Sequence, residues 1–201
     1  TWGEVGAVTT NNFKLSEKIR KLSLHGMSKD GWKRFKTGGK WMYDVSELGF
    51  KYNMTDVSAA FGLWQLTHLE NWHNRRKEIF YRYNEKLSEI SGLITPSGCL
   101  DVEVNAFHLY IIKVKTHLWK INRNQIIELL NELGIGTSVH YKPVHMHSYY
   151  KLKYGYNDNS FPNSKKHYDT VITLPLYPLL KNNEIDYVIT SLNDLWEKFK
   201  Y

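Results

Sequence analysis

The sequence predicts an α/β chain that closes on a smaller α+β domain. Three observations carry that expectation. Strand-like and helix-like segments alternate from the start. A long helical run from Thr55 to Leu87 separates two such groups. A turn-rich stretch from Ser91 to Asn105, with Gly92, Pro96 and Gly98, follows it. Together these place one domain over residues 1–88 and a second over 89–201.

In the first domain, Gly3 to Gly6 punctuates a turn, and Ala7-Val8-Thr9-Thr10 reads as a short strand. Asn11 or Asn12 then caps a helix from Phe13 to about Ser23. Leu15, Ile19 and Leu22 recur at helical spacing and are expected to face the core. Residues 27–47 read as a long loop in which Lys29, Lys33, Arg34, Lys36 and Lys40 alternate with Trp32, Phe35, Trp41 and Tyr43. Thr55 caps the next helix, and Asp56 suits its dipole. Val57, Phe61 and Trp64 form an apolar stripe continued by Leu69 and Trp72. That run is two successive helices or one kinked helix.

In the second domain, Ala106 to Val114 is a strand by its β-branched and aromatic content. Asn122 caps a helix from Arg123 to Leu133, ended by Gly134. Gly136 to Tyr141 reads as another strand, and Pro162 to Val171 as a helix. Thr173 to Leu176 is short and extended. Asn183 to Phe199 is an amphipathic helix with Ile185, Val188, Ile189, Leu192, Leu195 and Trp196 on one side.

Composition narrows the function. Of 201 residues, 42% are hydrophobic and 14% aromatic, which excludes a disordered chain. No apolar run approaches the roughly 20 residues that span a bilayer. No basic-then-apolar leader opens the chain. The single cysteine, Cys99, has no internal disulfide partner and points to a cytoplasmic setting. The net charge of +7 suits anionic ligands in general and selects none. Thr1, rather than Met, at the start implies lost upstream sequence. No P-loop, dinucleotide fingerprint or nucleophile elbow is present. His140, His145 and His147 lie close together beside Tyr141, Tyr149 and Tyr150. They lack the cysteines and carboxylates of a metal site, so no metal is expected. Acid–base work or polar substrate contacts fit better.

Several ordered stretches resemble the DegT/StrS-type sugar-nucleotide aminotransferase family. They are Gly3-Glu4-Val5-Gly6-Ala7-Val8-Thr9-Thr10, Leu24-His25-Gly26-Met27, residues 49–63 from Gly-Phe-Lys-Tyr-Asn-Met-Thr-Asp onward, His108-Leu109-Tyr110, residues 134–145 through Val139-His140-Tyr141-Lys142-Pro143, and Leu174-Pro175-Leu176-Tyr177-Pro178. The resemblance implies the C-terminal part of a fold-type I pyridoxal-phosphate (PLP) transferase: the end of the large α/β domain plus the small C-terminal domain. It implies a homodimer that moves an amino group from glutamate to a nucleotide-linked keto-sugar. The cofactor would be PLP, passing through pyridoxamine phosphate, with neither nucleic acid nor membrane as partner. The Schiff-base lysine is expected just upstream of Thr1, so no lysine of this chain takes its place and the chain alone is expected to be inactive. Asn53 matches an asparagine that reaches the PLP phosphate of the partner subunit. His140 and Tyr141 match a pair that faces the sugar, and Lys51 is placed near the substrate diphosphate. Val5 departs from the family's usual glycine. A sister sugar dehydratase that uses pyridoxamine phosphate, and a non-catalytic remnant, are the alternatives.

Overall fold

A computed structural model describes residues 6–27, 43–96 and 105–201. The chain packs as two compact units, Thr1–Leu69 and Glu70–Tyr201. The expected alternating loop over 28–42, Val5 and Cys99 lie outside the described residues.

In the first unit, α1 runs Phe13–Leu22, and Asn12 caps it by accepting from the Leu15 amide. The expected core face of α1 is not one: Leu15 is 46% exposed, and Ile19 and Leu22 are only half-buried. Residues 6–10 form no strand, because no described segment pairs with them. The α2 helix, Asp56–Leu87, is a single unbroken run of 32 residues. It contains no proline, and Thr55 Oγ1 accepts from the Ser58 amide at its start. Val57, Phe61, Trp64 and Leu69 are exposed rather than buried. Among the described residues of this unit, only Leu24 and Met27 are buried apolar side chains, so the stripe has no core to join.

The second unit has the core. A three-stranded antiparallel sheet is ordered β1-β2-β3, where β1 is Leu93–Ile94, β2 Tyr110–Val114 and β3 Val171–Leu174. Tyr110 faces Leu174 and Lys113 faces Val171 across the β2–β3 ladder. β2 starts later than the sequence predicts. Asn105 Oδ1 accepts from the Phe107 amide, and Phe107 takes a φ of 45°, which turns the chain before it extends. β2 alternates buried and more open positions, whereas every residue of β3 is buried.

Helices supply the rest of the core. They are the C-terminal half of α2, α3 (Arg123–Glu132) and α6 (Asn182–Phe199). Asn122 and Gln125 form a reciprocal capping box at the start of α3. Two shorter helices, α4 (Ser148–Tyr154) and α5 (Pro162–Thr170), lie between α3 and β3 in sequence. Ile79, Phe80, Tyr83 and Leu87 of α2 meet Ile126 and Leu130 of α3 in one cluster with Ile185, Val188 and Leu192 of α6. Each such apolar side chain contributes about 1.5–3 kcal/mol by leaving water. Two buried phenols are paired: Tyr110 donates to Asn84 Oδ1 at 2.7 Å and Tyr83 to the Pro175 carbonyl at 3.1 Å. Arg82 makes a forked ion pair with Asp186, joining α2 to α6. Arg123 is also buried. One guanidinium nitrogen donates to the Val171 carbonyl, the guanidinium carbon lies 5.2 Å from the Tyr168 ring centroid, and Nε has no partner among the described residues.

The expected strand over 136–141 shrinks to one bridge, Ser138 with Thr173. Pro143, which has no amide N–H, lies shortly beyond it, and β3 ends at Leu174 just before Pro175, so little ladder is available.

Gly92 is buried, and a Cβ there would lie 2.1 Å from the Trp196 ring and 2.6 Å from Trp119 Nε1. Trp119 donates to the Gly92 carbonyl, so its ring cannot retreat freely. Gly92→Ala should therefore lower stability by about 1–3 kcal/mol in urea unfolding, and an unchanged midpoint would remove this packing argument. Burial pushes the Tyr83 and Tyr110 phenols well above the usual range, with neighbouring tyrosines adding to it. The folded state thus favours the neutral phenols. Stability is full below pH ~10 and falls as pH rises beyond it, where unfolded tyrosines ionise. Urea midpoints between pH 8 and pH 11 test this, and Tyr83→Phe should flatten the alkaline fall.

Candidate functional site

Two groups of residues expected to function lie in different units, and each stands by itself. Asn53 and Lys51 belong to the first.

The chain after α1 makes a tight reversal. His25 and Gly26 both have positive φ, at 59° and 70°. A Cβ on Gly26 would lie 1.8 Å from the Glu47 carbonyl oxygen, and one on Gly49 would lie 2.1 Å from the Gly26 nitrogen. Only glycines permit two backbones to approach so closely. The approach lays residues 50–52 antiparallel to residues 22–25. The Phe50 amide donates to Leu22 O at 2.7 Å, the Tyr52 amide to Ser23 O at 2.8 Å, and the His25 amide to Phe50 O at 2.8 Å. Lys21 and Glu47 add an ion pair at 2.9 Å.

This pairing delivers Asn53 to the wall of a cavity of about 720 Å³. Its walls include Thr10, Ser16, Arg20, Ser23 and Tyr52. Asn53 is half-buried. Its Nδ2 donates to the Met54 carbonyl at 3.4 Å, a weak bond. Its Oδ1 is buried and meets no partner among the described residues. An orphaned amide oxygen costs about 1–3 kcal/mol. A donor from a ligand or water would satisfy it. Turning the amide over sacrifices little and presents an N–H instead.

Arg20 was not legible as a functional residue, and among the described residues it is the one charged side chain on that wall. A signal existed. Ser16, Ile19, Arg20 and Ser23 recur at intervals of three, four and seven, which is one helix face. That face is mostly polar, and it is the one that lines the cavity. Cation, hydroxyls and amide together suit a phosphate group. Lys51 is exposed, and its backbone bridges Leu24. It does not line the cavity.

His140 and Tyr141 belong to the second unit, at the end of the segment tied to β3. The Ser138 amide donates to Thr173 O at 3.2 Å, and the Thr173 amide donates to Ser138 O at 2.8 Å. Two residues later, His140 Nδ1 lies 2.8 Å from Thr173 Oγ1. Thr173 is itself buried, so its hydroxyl is a fixed mount for the imidazole. Tyr141 stands edge-on to His140, with ring centroids 4.6 Å apart, and is 73% exposed. Its open face suits a sugar ring. His145 is buried against Phe161, and His147 faces the Lys142 carbonyl. Among the described residues no cluster of metal-ligating side chains forms.

Residues 1–193 match the model of the DegT/DnrJ/EryC1/StrS aminotransferase family. The spore coat polysaccharide biosynthesis protein SpsC of Bacillus subtilis is 43% identical over 96% of this chain and 50% of its own length. The uncharacterized protein MJ1066 of Methanocaldococcus jannaschii is 42% identical over 97% of this chain and 50% of its own. The chain thus spans about half the length of the curated relatives it matches. Among solved structures, the PMP form of the "putative sugar aminotransferase Spr1654" from Streptococcus pneumoniae superposes with a TM-score of 0.76 at 31% identity, covering 94% of this chain and 46% of that one. Its PLP form gives 0.75 at 30% identity, over 94% and 45%.

Thr173→Val should free the His140 ring while costing about 1 kcal/mol of stability. The nitrogen chemical shifts of His140 read this directly, and unchanged shifts would show that the hydroxyl does not hold the ring.

Proposed function

The chain belongs to the DegT/DnrJ/EryC1/StrS aminotransferase family, and from that premise we propose that it forms part of a PLP-dependent sugar aminotransferase. The reaction would carry an amino group from glutamate to a nucleotide-linked keto-sugar. The observation that carries this reading is the cavity beside Asn53, with the Arg20 guanidinium, its hydroxyls and a buried amide oxygen that lacks a partner among the described residues.

The residues present fit the phosphate end of PLP. Arg20 supplies the cation and Asn53 a turnable amide. Thr10, Ser16 and Ser23 supply hydroxyls. When bound, PLP supplies an electron sink that lets an amino group leave one carbon skeleton and enter another. The chain's own work is to hold and orient. Arg20 and Asn53 anchor the phosphate and so fix the ring it carries. His140, mounted on Thr173, offers a nitrogen that takes or gives a proton at a sugar hydroxyl. Tyr141 presents an open aromatic face to the sugar ring. Lys51, exposed on its bridge, supplies one of the cations that meet the substrate's diphosphate.

We infer further that the active assembly is a homodimer in which Asn53 reaches the partner's cofactor. The domain boundary near residue 88 belongs to the same proposal. The curated relatives are about twice as long as this chain, which leaves room for the lysine and for the ring contacts in the other half of the fold.

PLP retention tests the reading. Arg20→Ala and Asn53→Ala should each weaken it by about tenfold, the loss expected for one charge-assisted hydrogen bond. Equilibrium dialysis with absorbance detection reads this. Retention unchanged in both variants would remove the phosphate assignment.

A further inference from the structure

A second feature of the second unit stands outside the site described above. Tyr149, Tyr150, Tyr154, Tyr156 and Phe161 form a run of neighbouring rings on and after α4. Their centroids are 5.2, 6.3, 5.7 and 5.5 Å apart in turn. The run ends on buried His145, 4.9 Å from Phe161. The outer rings are open, with Tyr149 61% and Tyr154 54% exposed. Exposed tyrosines in such density are unusual where nothing binds.

Lys153 sits among them. Its Nζ donates to Tyr149 Oη at 3.1 Å. It lies 5.4 Å from the Tyr149 ring centroid and 5.5 Å from that of Tyr154. Among the described residues no carboxylate meets it. Its neighbour Lys151 differs, being paired with Asp158 at 2.5 Å. Lys153 is therefore a cation held in place by rings and left without a counter-anion. An ammonium has three donors, and only one of these is engaged. Part of the ordering cost of the lysine is already met before any anion arrives.

We propose that Tyr149, Lys153 and Tyr154 seat the nucleoside diphosphate portion of the substrate, with a phosphate on Lys153 and the base on a tyrosine face. The proposal rests on the nucleotide-linked substrate argued above and gives that nucleotide a location. The segment is tied to the sugar-facing pair. His147 Nε2 lies 3.3 Å from the carbonyl of Lys142, the residue after Tyr141, so the start of α4 is held to the segment that carries His140. One uncompensated cation between two rings suits one diphosphate and one base. A nucleic-acid strand calls for a repeated track of cations and rings.

The test titrates the full 201-residue chain with uridine diphosphate, thymidine diphosphate and inorganic pyrophosphate, read by calorimetry. Lys153→Met should weaken all three by about tenfold, and Lys153→Arg should restore most of the loss. Tyr149→Leu should weaken the two nucleotides by about fivefold or more and leave pyrophosphate unchanged. Thermal melts confirm that both surface variants fold. Nucleotide affinity unmoved by either substitution overturns the proposal, as does no binding at millimolar nucleotide. Tighter, steeply salt-dependent binding of a mixed-sequence oligonucleotide also overturns it in favour of nucleic acid. PLP retention is measured on the same variants. If it persists while nucleotide binding fails, the seat is lost and the aminotransferase reading stands. If the chain captures nucleotide but neither Arg20→Ala nor Asn53→Ala changes PLP retention, the phosphate assignment fails independently and the seat stands.

Discussion

The backbone ladder between β2 and β3 is the constraint on which the second unit depends. β3 has only four residues, all buried, and it does two jobs at once. Ile172 and Leu174 enter the core cluster, while Thr173 pairs with Ser138 and mounts His140. A slip of one residue would exchange these faces, placing a hydroxyl in the apolar cluster and a leucine or isoleucine under the imidazole. Core packing and the position of a functional side chain are thus set by the same register. The pairing of Tyr110 with Leu174 and the bond from Tyr83 to the Pro175 carbonyl both oppose such a slip.

The first unit works by a different principle. Few of its described apolar side chains are buried, and its local order comes from backbone geometry instead. Positive φ at His25 and Gly26, and the approach of Gly49, force residues 50–52 alongside the end of α1. Asn53 is the first residue beyond that pairing. Its placement follows from two glycines and a short set of amide bonds rather than from a packed interior. Val57, Phe61, Leu63 and Leu66 meanwhile remain exposed on α2.

Much of the second unit was legible in the sequence. The Asn122 cap, the end of α3 before Gly134, and the amphipathic spacing of Ile185, Val188, Leu192 and Leu195 are local signals, and the structure has each of them. Family membership was legible too, because ordered motifs survive where single motifs mislead. Other features depended on partners that a local pattern does not name. Leu15 and Phe61 have helical spacing, but spacing states which face is apolar and not whether anything covers it. Residues 136–141 have strand-like content, yet only Ser138 finds a partner. Arg20 escaped notice because its polar stripe gains meaning only once the reversal at Gly26 folds Asn53 and Tyr52 back against it. His140 was legible as a candidate, while its mount on Thr173, 33 residues away, was not.

The buried guanidinium of Arg123 has a consequence of another kind. Arginine keeps its charge at any pH a protein survives. Its Nε has no partner among the described residues and is a standing cost, only partly offset by the Val171 carbonyl and the Tyr168 ring. A lysine in that place would behave differently, since a buried ammonium can shed its proton and become neutral. Exchange of one cationic residue for another would then convert a permanent interior charge into one that depends on acidity.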